Sequence, residues 1–169
     1  MATQTSSLIG ANLSSASSDA TALFALGSVA TGTGGSRWEY VQATSTFITG
    51  EIVLINPYGT AKTMITSKLT ANTDGYDFGF CQGLINQGEH GWVAKQGRNL
   101  YVLCSGTITA GTDQGVGFGA NSGRLILAPG AAVGHTMFGV VITSSTPDTG
   151  NQNATQATLT WPRVPFVNM

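Results

Sequence analysis

Glu89 and His90 stand side by side in Gly88-Glu89-His90-Gly91, where a carboxylate and an imidazole could hold a metal or exchange a proton. Neighbouring strand residues point to opposite faces, however, and no second His or Cys follows at ligand spacing. The string therefore reads as a turn. His135, in Gly134-His135-Thr136, is equally isolated. Nucleophilic catalysis needs a Ser, Cys or Thr, a base beside it, and a group that orients the base. Ser and Thr abound, but no Gly-x-Ser-x-Gly elbow occurs. Cys104 could act only if the fold brought His90 or His135 to it, and its flank Tyr101-Val-Leu-Cys104 reads as core. Asp74 and Asp77, in Asn72-Thr-Asp-Gly-Tyr-Asp77, resemble a fragment of a calcium loop without its other ligands, and read as an Asp-Gly turn. Gly115-Val-Gly117-Phe-Gly119 lacks the third glycine of a dinucleotide fingerprint and no helix follows it. The sequence thus assigns no catalytic, cofactor-binding or metal-ligating residue and no cofactor, and the chain is not expected to be an enzyme.

Composition points the same way. Charged residues make up 9% of 169, against about 25% in an ordinary globular domain. Formal net charge is -1, so no basic excess exists to neutralise phosphates, and nucleic acid is not an expected partner. Weak net charge gives little protection against self-association, which suits a chain that assembles. The first basic residue is Arg37, so a secretory signal is not expected. The longest weakly polar run, residues 130–142, is interrupted by His135 and Thr136 and is too short to span a bilayer. Synthesis in a cytoplasm without a membrane anchor is the expectation. The two cysteines, Cys81 and Cys104, sit in apolar runs and read as buried free thiols, with a disulfide across paired strands as the alternative.

The elements that would position these residues are short strands. Residues 1–22 are rich in Ser, Thr and Ala without a sustained period and read as an extended N-terminal arm. The β domain is placed at residues 23–160 and a C-terminal tail at 161–169. Strands are predicted at residues 23–29 and 37–43, joined by the glycine-rich turn Thr31-Gly-Thr-Gly-Gly-Ser36, and at 51–55 and 61–65, joined by Asn56-Pro57-Tyr58-Gly59. Further strands are predicted at 79–85, 91–95, 100–104, 115–118, 124–127, 137–142 and 157–161. In the tail, Pro162 and Pro165 argue against a central strand, while Trp161, Val164, Phe166 and Val167 argue for docking. Recurrent breakers without a helical period predict an all-β fold, a compact sandwich or distorted barrel of short antiparallel strands.

Phe24-Ala-Leu-Gly-Ser-Val29, Gly34-Gly-Ser-Arg-Trp-Glu-Tyr-Val-Gln-Ala43 and Ile48-Thr-Gly-Glu-Ile-Val-Leu-Ile-Asn56 resemble segments of the head decoration (cement) proteins of tailed bacteriophages. So do Gly88-Glu-His-Gly-Trp-Val93, Gly97-Arg-Asn-Leu-Tyr-Val-Leu103 and Ile108-Thr-Ala-Gly111; together the similarity covers residues 24–143. The resemblance implies a structural virion protein that binds the outer surface of an icosahedral capsid and stabilises it. It implies the major capsid protein as partner, a homotrimer or otherwise a dimer, terminal arms that reach the shell or a neighbour, and no active site. A second class remains open on the residues alone. Trp38, Tyr40, Tyr58, Tyr76 and Trp92 could form an aromatic platform in a carbohydrate- or receptor-binding β module of a phage fibre or surface appendage.

Overall fold

The computed structural model describes residue 13 and residues 18–64, 77–104, 116–118, 124–127, 136–144 and 153–163. Within them lie β1 (Val29–Thr31), β2 (Arg37–Ala43), β3 (Ile52–Ile55), β4 (Thr60–Thr63), β5 (Asp77–Cys81), β6 (His90–Cys104), β7 (Val116–Phe118), β8 (Leu125–Leu127), β9 (Thr136–Ile142) and β10 (Asn153–Arg163). The predicted all-β class holds. A 3-10 turn, Thr33–Gly35, separates β1 from β2. Among the described residues no helix is long and apolar enough to cross a membrane.

All ten strands belong to one sheet, ordered β1-β2-β4-β3-β5-β6-β10-β9-β7-β8, with further pairings β2–β6 and β6–β8. The first extra pairing closes β2, β4, β3, β5 and β6 into a ring, which removes the edges a flat sheet would expose. Two pairings depart from the all-antiparallel expectation: β2 runs parallel to β4, and β6 meets β8 in parallel at Cys104↔Leu125.

Alternation along the ring strands explains why both faces are apolar. Val41 and Ala43 of β2, Val53 and Ile55 of β3, Ala61 of β4, Cys81 of β5 and Val93 of β6 converge, with Phe47 and Ile85, in one buried cluster inside the ring. The alternate positions Trp38, Tyr40, Ile52, Leu54, Phe78, Phe80, Trp92 and Ala94 belong to a larger cluster on the other face. Leu100, Val102 and Cys104 of β6 continue that cluster, joined by Leu125, Ile142, Ala157 and Leu159. Strands buried on both faces read as unbroken apolar runs, as Ile-Val-Leu-Ile in β3 does.

Three expectations are corrected. The strands predicted at 91–95 and 100–104 are one strand of 15 residues. It stays continuous because Gln96 pairs both with Arg37 of β2 and with Thr160 of β10, so one partner takes over where the other ends. The strand predicted at 23–29 is confined to Val29–Thr31. Residues 23–28 instead turn, with Ser28 N–H donating to Ala25 O at 3.0 Å and Gly27 N–H to Tyr40 O at 2.9 Å. The tail begins later than residue 161, because β10 runs to Arg163 through Pro162. Pro162 is tolerated because β10's pairing with β6 has ended at Thr160 and, among the described residues, only β9 flanks it, at Arg163↔Phe138. Residues 164–169, which hold the tail's Val164, Phe166 and Val167, lie outside the described residues, as do residues 1–12 of the arm.

Candidate functional site: the face that seats the N-terminal segment

Residues 18–31 lie across β2 and the start of β6. Asp19 forms an isolated antiparallel bridge with His90, its N–H donating to His90 O at 2.8 Å and the His90 N–H to Asp19 O at 2.9 Å. The His90 ring adds a contact from Nδ1 to Asp19 O at 3.2 Å. The Tyr40 hydroxyl donates to Asp19 Oδ2 at 3.2 Å and accepts from Leu23 N–H at 3.2 Å. Burial and the Asp19 carboxylate push the Tyr40 phenol above its ordinary range, burial being the larger cause. Ser18 donates to Glu89 Oε2, and Asn86 Nδ2 donates to the same oxygen at 2.9 Å. Those two donors hold the Glu89 carboxyl below its usual range. Phe24 then sets its edge on Tyr40 and Trp92, with centroids 5.3 Å away in each case, and His90 stacks on Tyr40 at 6.1 Å.

The polar string around Glu89 and His90 is therefore a seat for the chain's own N-terminal segment. Its members satisfy one another's hydrogen bonds. The arm read as reaching residue 22 is docked from residue 18 onward, and Leu13 is buried in the larger cluster. The sequence carries a faint signal for this docking in Phe24, an aromatic residue that follows Asp19 with no charge before Arg37.

The seat leaves an apolar surface outward. Leu23 is 65% exposed and Tyr58 83%; Leu26 and Val29 are exposed as well, Val29 opposite Glu39 of β2. The turn of residues 56–59 lies against this stretch, since a Cβ on Gly59 would come 2.7 Å from Leu26 Cβ. Asn56 Oδ1 holds the turn by accepting from Tyr58 N–H at 3.0 Å and Thr60 N–H at 2.9 Å. The turn's own Asn-Pro-Tyr-Gly sequence dictates its shape, and that shape presents Tyr58 to solvent.

The other sequence candidates are scattered. Trp38, Tyr40 and Trp92 are core residues, so they offer no open platform to a sugar ring. Tyr76, Asp74, His135, Gly115 and Gly119 lie outside the described residues. Asp77 opens β5 and meets Lys95, a contact that sequence reasoning missed because its partners are far apart in the chain. No group of three His, Cys, Asp or Glu residues that could hold a metal ion occurs among the described residues.

Both cysteines are free and buried, Cys81 in the ring cluster and Cys104 in the larger one, so the disulfide alternative is not realised. Burial pushes each thiol up to about 12 from 9.0. The sign follows from proton counting. Between pH 9 and about 12 the folded chain keeps protons that the unfolded chain has released, so stability present below pH 9 falls as pH rises through that window. Denaturant melts are expected to show this decline, and replacing both cysteines by Ala is expected to flatten it. A thiol reagent should find neither cysteine in the native protein at pH 8 and both in denaturant. Rapid native labelling would contradict the burial.

Compared with known proteins, the chain matches no family model, no curated protein and no solved structure.

Proposed function

We propose that this chain is a structural virion protein that binds the outer surface of an icosahedral phage capsid and stabilises it, with the major capsid protein as its partner and itself as a homo-oligomer, most simply a trimer. The observation that carries the reading is the exposure of the apolar side chains Leu23, Leu26 and Tyr58. They are held outward by a firmly seated segment on a closed β scaffold. A protein that sits in many copies on a lattice needs broad contact without like-charge repulsion, and no charged residue falls between Asp19 and Arg37. The resemblance of residues 24–143 to decoration proteins supports the same role. Contact across neighbouring shell subunits would favour the assembled lattice over free subunits, because each half-site gains effective concentration from the other. Binding to the assembled form then stabilises it by mass action.

The test is to strip the protein from purified particles and add it back. Re-decorated particles are expected to melt at a higher temperature than stripped ones. Attachment should survive salt that screens exposed charges within about 8 Å or less. Equal melting would remove the stabilising role. Binding to a glycan array, without binding to particles, would favour the carbohydrate-binding module instead.

A further inference from the structure

Inside the ring, one end of the small apolar cluster is closed by charge. Lys95 lies two residues beyond Val93, on the same face of β6, and its side chain is only 5% exposed. Its ammonium sits between two carboxylates from the flanking strands. Nζ donates to Glu39 Oε2 of β2 at 3.2 Å and contacts Asp77 Oδ2 of β5. The second oxygen of Asp77, Oδ1, accepts the Phe78 backbone N–H at 2.8 Å. The Asp77 side chain is 44% exposed, so the cluster opens to solvent on that side.

As an ion pair alone this arrangement is weak grounds for stability, because desolvating the charges offsets much of their attraction. As chemistry it has an amine against a carboxyl group, a carboxylate on the same amine, and a backbone N–H on the carboxyl oxygen that would gain negative charge. Those are the nucleophile, base and oxyanion donor of an acyl transfer. We propose that Lys95 and Asp77 condense into an intramolecular isopeptide bond, with Glu39 as the catalytic base.

The step balances without an oxidant or co-reactant. The Lys95 ammonium gives a proton to Asp77 Oδ2, which it touches, and the freed Nζ lone pair attacks Cγ of the now neutral carboxyl. The Phe78 N–H stabilises the charge that gathers on Oδ1. Glu39 takes a second proton from Nζ and returns it to the departing Oδ2 hydroxyl, which leaves as water. One C–N bond forms, one C–O bond breaks, and water leaves through the exposed side of Asp77. Glu39 ends as the carboxylate it began as. Amide condensation between free partners in water is uphill. Here the fold holds both groups in contact, and intramolecular placement of this kind supplies effective concentrations of about 10⁵ M or more. The product would cross-link β5 to β6 and persist in denaturant.

Mass spectrometry of the denatured, folded-then-aged protein tests this directly. The expected mass is one water below that of the sequence. The expected digest has no trypsin cut after Lys95, so residues 69–98 stay in one peptide that carries the same deficit. Glu39→Gln is expected to restore the sequence mass while protection of Cys81 and Cys104 shows that the variant is folded. Wild-type protein at full sequence mass, cut after Lys95, would overturn the proposal. A water deficit with Lys95 still cut would do the same, since it would place the dehydration at Asp74-Gly75 as a cyclic imide. A deficit that survives in Glu39→Gln would remove Glu39 from the step. Should Glu39→Gln fail to fold, the wild-type mass and digest decide alone.

Discussion

Gly50→Ala is expected to destabilise the protein by about 3 kcal/mol or more, well beyond the roughly 1 kcal/mol of an average substitution. Two independent effects add at this residue. Its φ is +84°, a region where a side chain is strained, and a Cβ would come 2.7 Å from Leu103 N and 2.8 Å from Val102 C. Those are backbone atoms, so no rotamer change can relieve the contact. Relief by moving the turn would break short bonds: Gly50 N–H to Cys81 O and Leu103 N–H to Gly50 O, both 2.7 Å. Through them Gly50 fastens the end of β5 to the second half of β6. The turn is further fixed by Glu51, whose Oε2 accepts Ile48 N–H at 3.0 Å. Gly88→Ala is the internal control. Its φ is +82°, but nothing lies within 4 Å of its Cβ position, so only the strain of about 1 kcal/mol is expected there. Denaturant melts of the two variants measure the difference. Equal losses would show that the backbone contact at Gly50 is not what demands glycine.

That contact also marks the limit of local sequence reading. The hairpin of β3 and β4 was legible to within a residue or two, because Asn56-Pro57-Tyr58-Gly59 carries its own turn chemistry and the flanking runs are β-branched. The all-β class was legible for the same reason, repeated along the chain. What could not be read was anything fixed by a distant partner. Gly97-Arg98-Asn99 falls in the gap between the strands predicted at 91–95 and 100–104, and Asn99 does take a positive φ of 56°, yet β10 pairs across it and keeps β6 whole. Lys95 closes the strand predicted at 91–95 with no partner named by its neighbours in sequence, and β2, 56 positions away, brings Glu39 to it. Tyr40 and Trp92 read as core residues with a binding platform as the alternative, since an aromatic side chain suits both. The choice falls to core only because residues 18–31 cover that face. Glu89 and His90 read from sequence as turn residues rather than ligands. Their partners prove to be Ser18 and Asp19, at the end of a segment with no period of its own.

The covered face and the outward surface make separable demands, which a paired substitution exposes. Leu23→Asp combined with Tyr58→Asp is expected to leave melting within about 0.5 kcal/mol of the parent, as exposed substitutions usually do. Leu23 bonds to Tyr40 through its backbone N–H, and Tyr58 through its backbone N–H to Asn56, so neither side chain is needed to hold the segment or the turn. On an assembled shell the same change is expected to weaken attachment at least about tenfold. Desolvating one unpaired carboxylate in a neutral contact costs more than the roughly 1.4 kcal/mol that corresponds to a factor of ten. The loss should repeat in every copy of an oligomer that binds at several points, so re-decoration should fail at concentrations that saturate the parent. Sedimentation of particles with each protein, alongside thermal melts of the free proteins, reads both quantities. Parent-like attachment would show that the shell contact lies elsewhere on the molecule. Lowered melting with the same attachment would make Leu23 and Tyr58 part of the fold rather than of the contact.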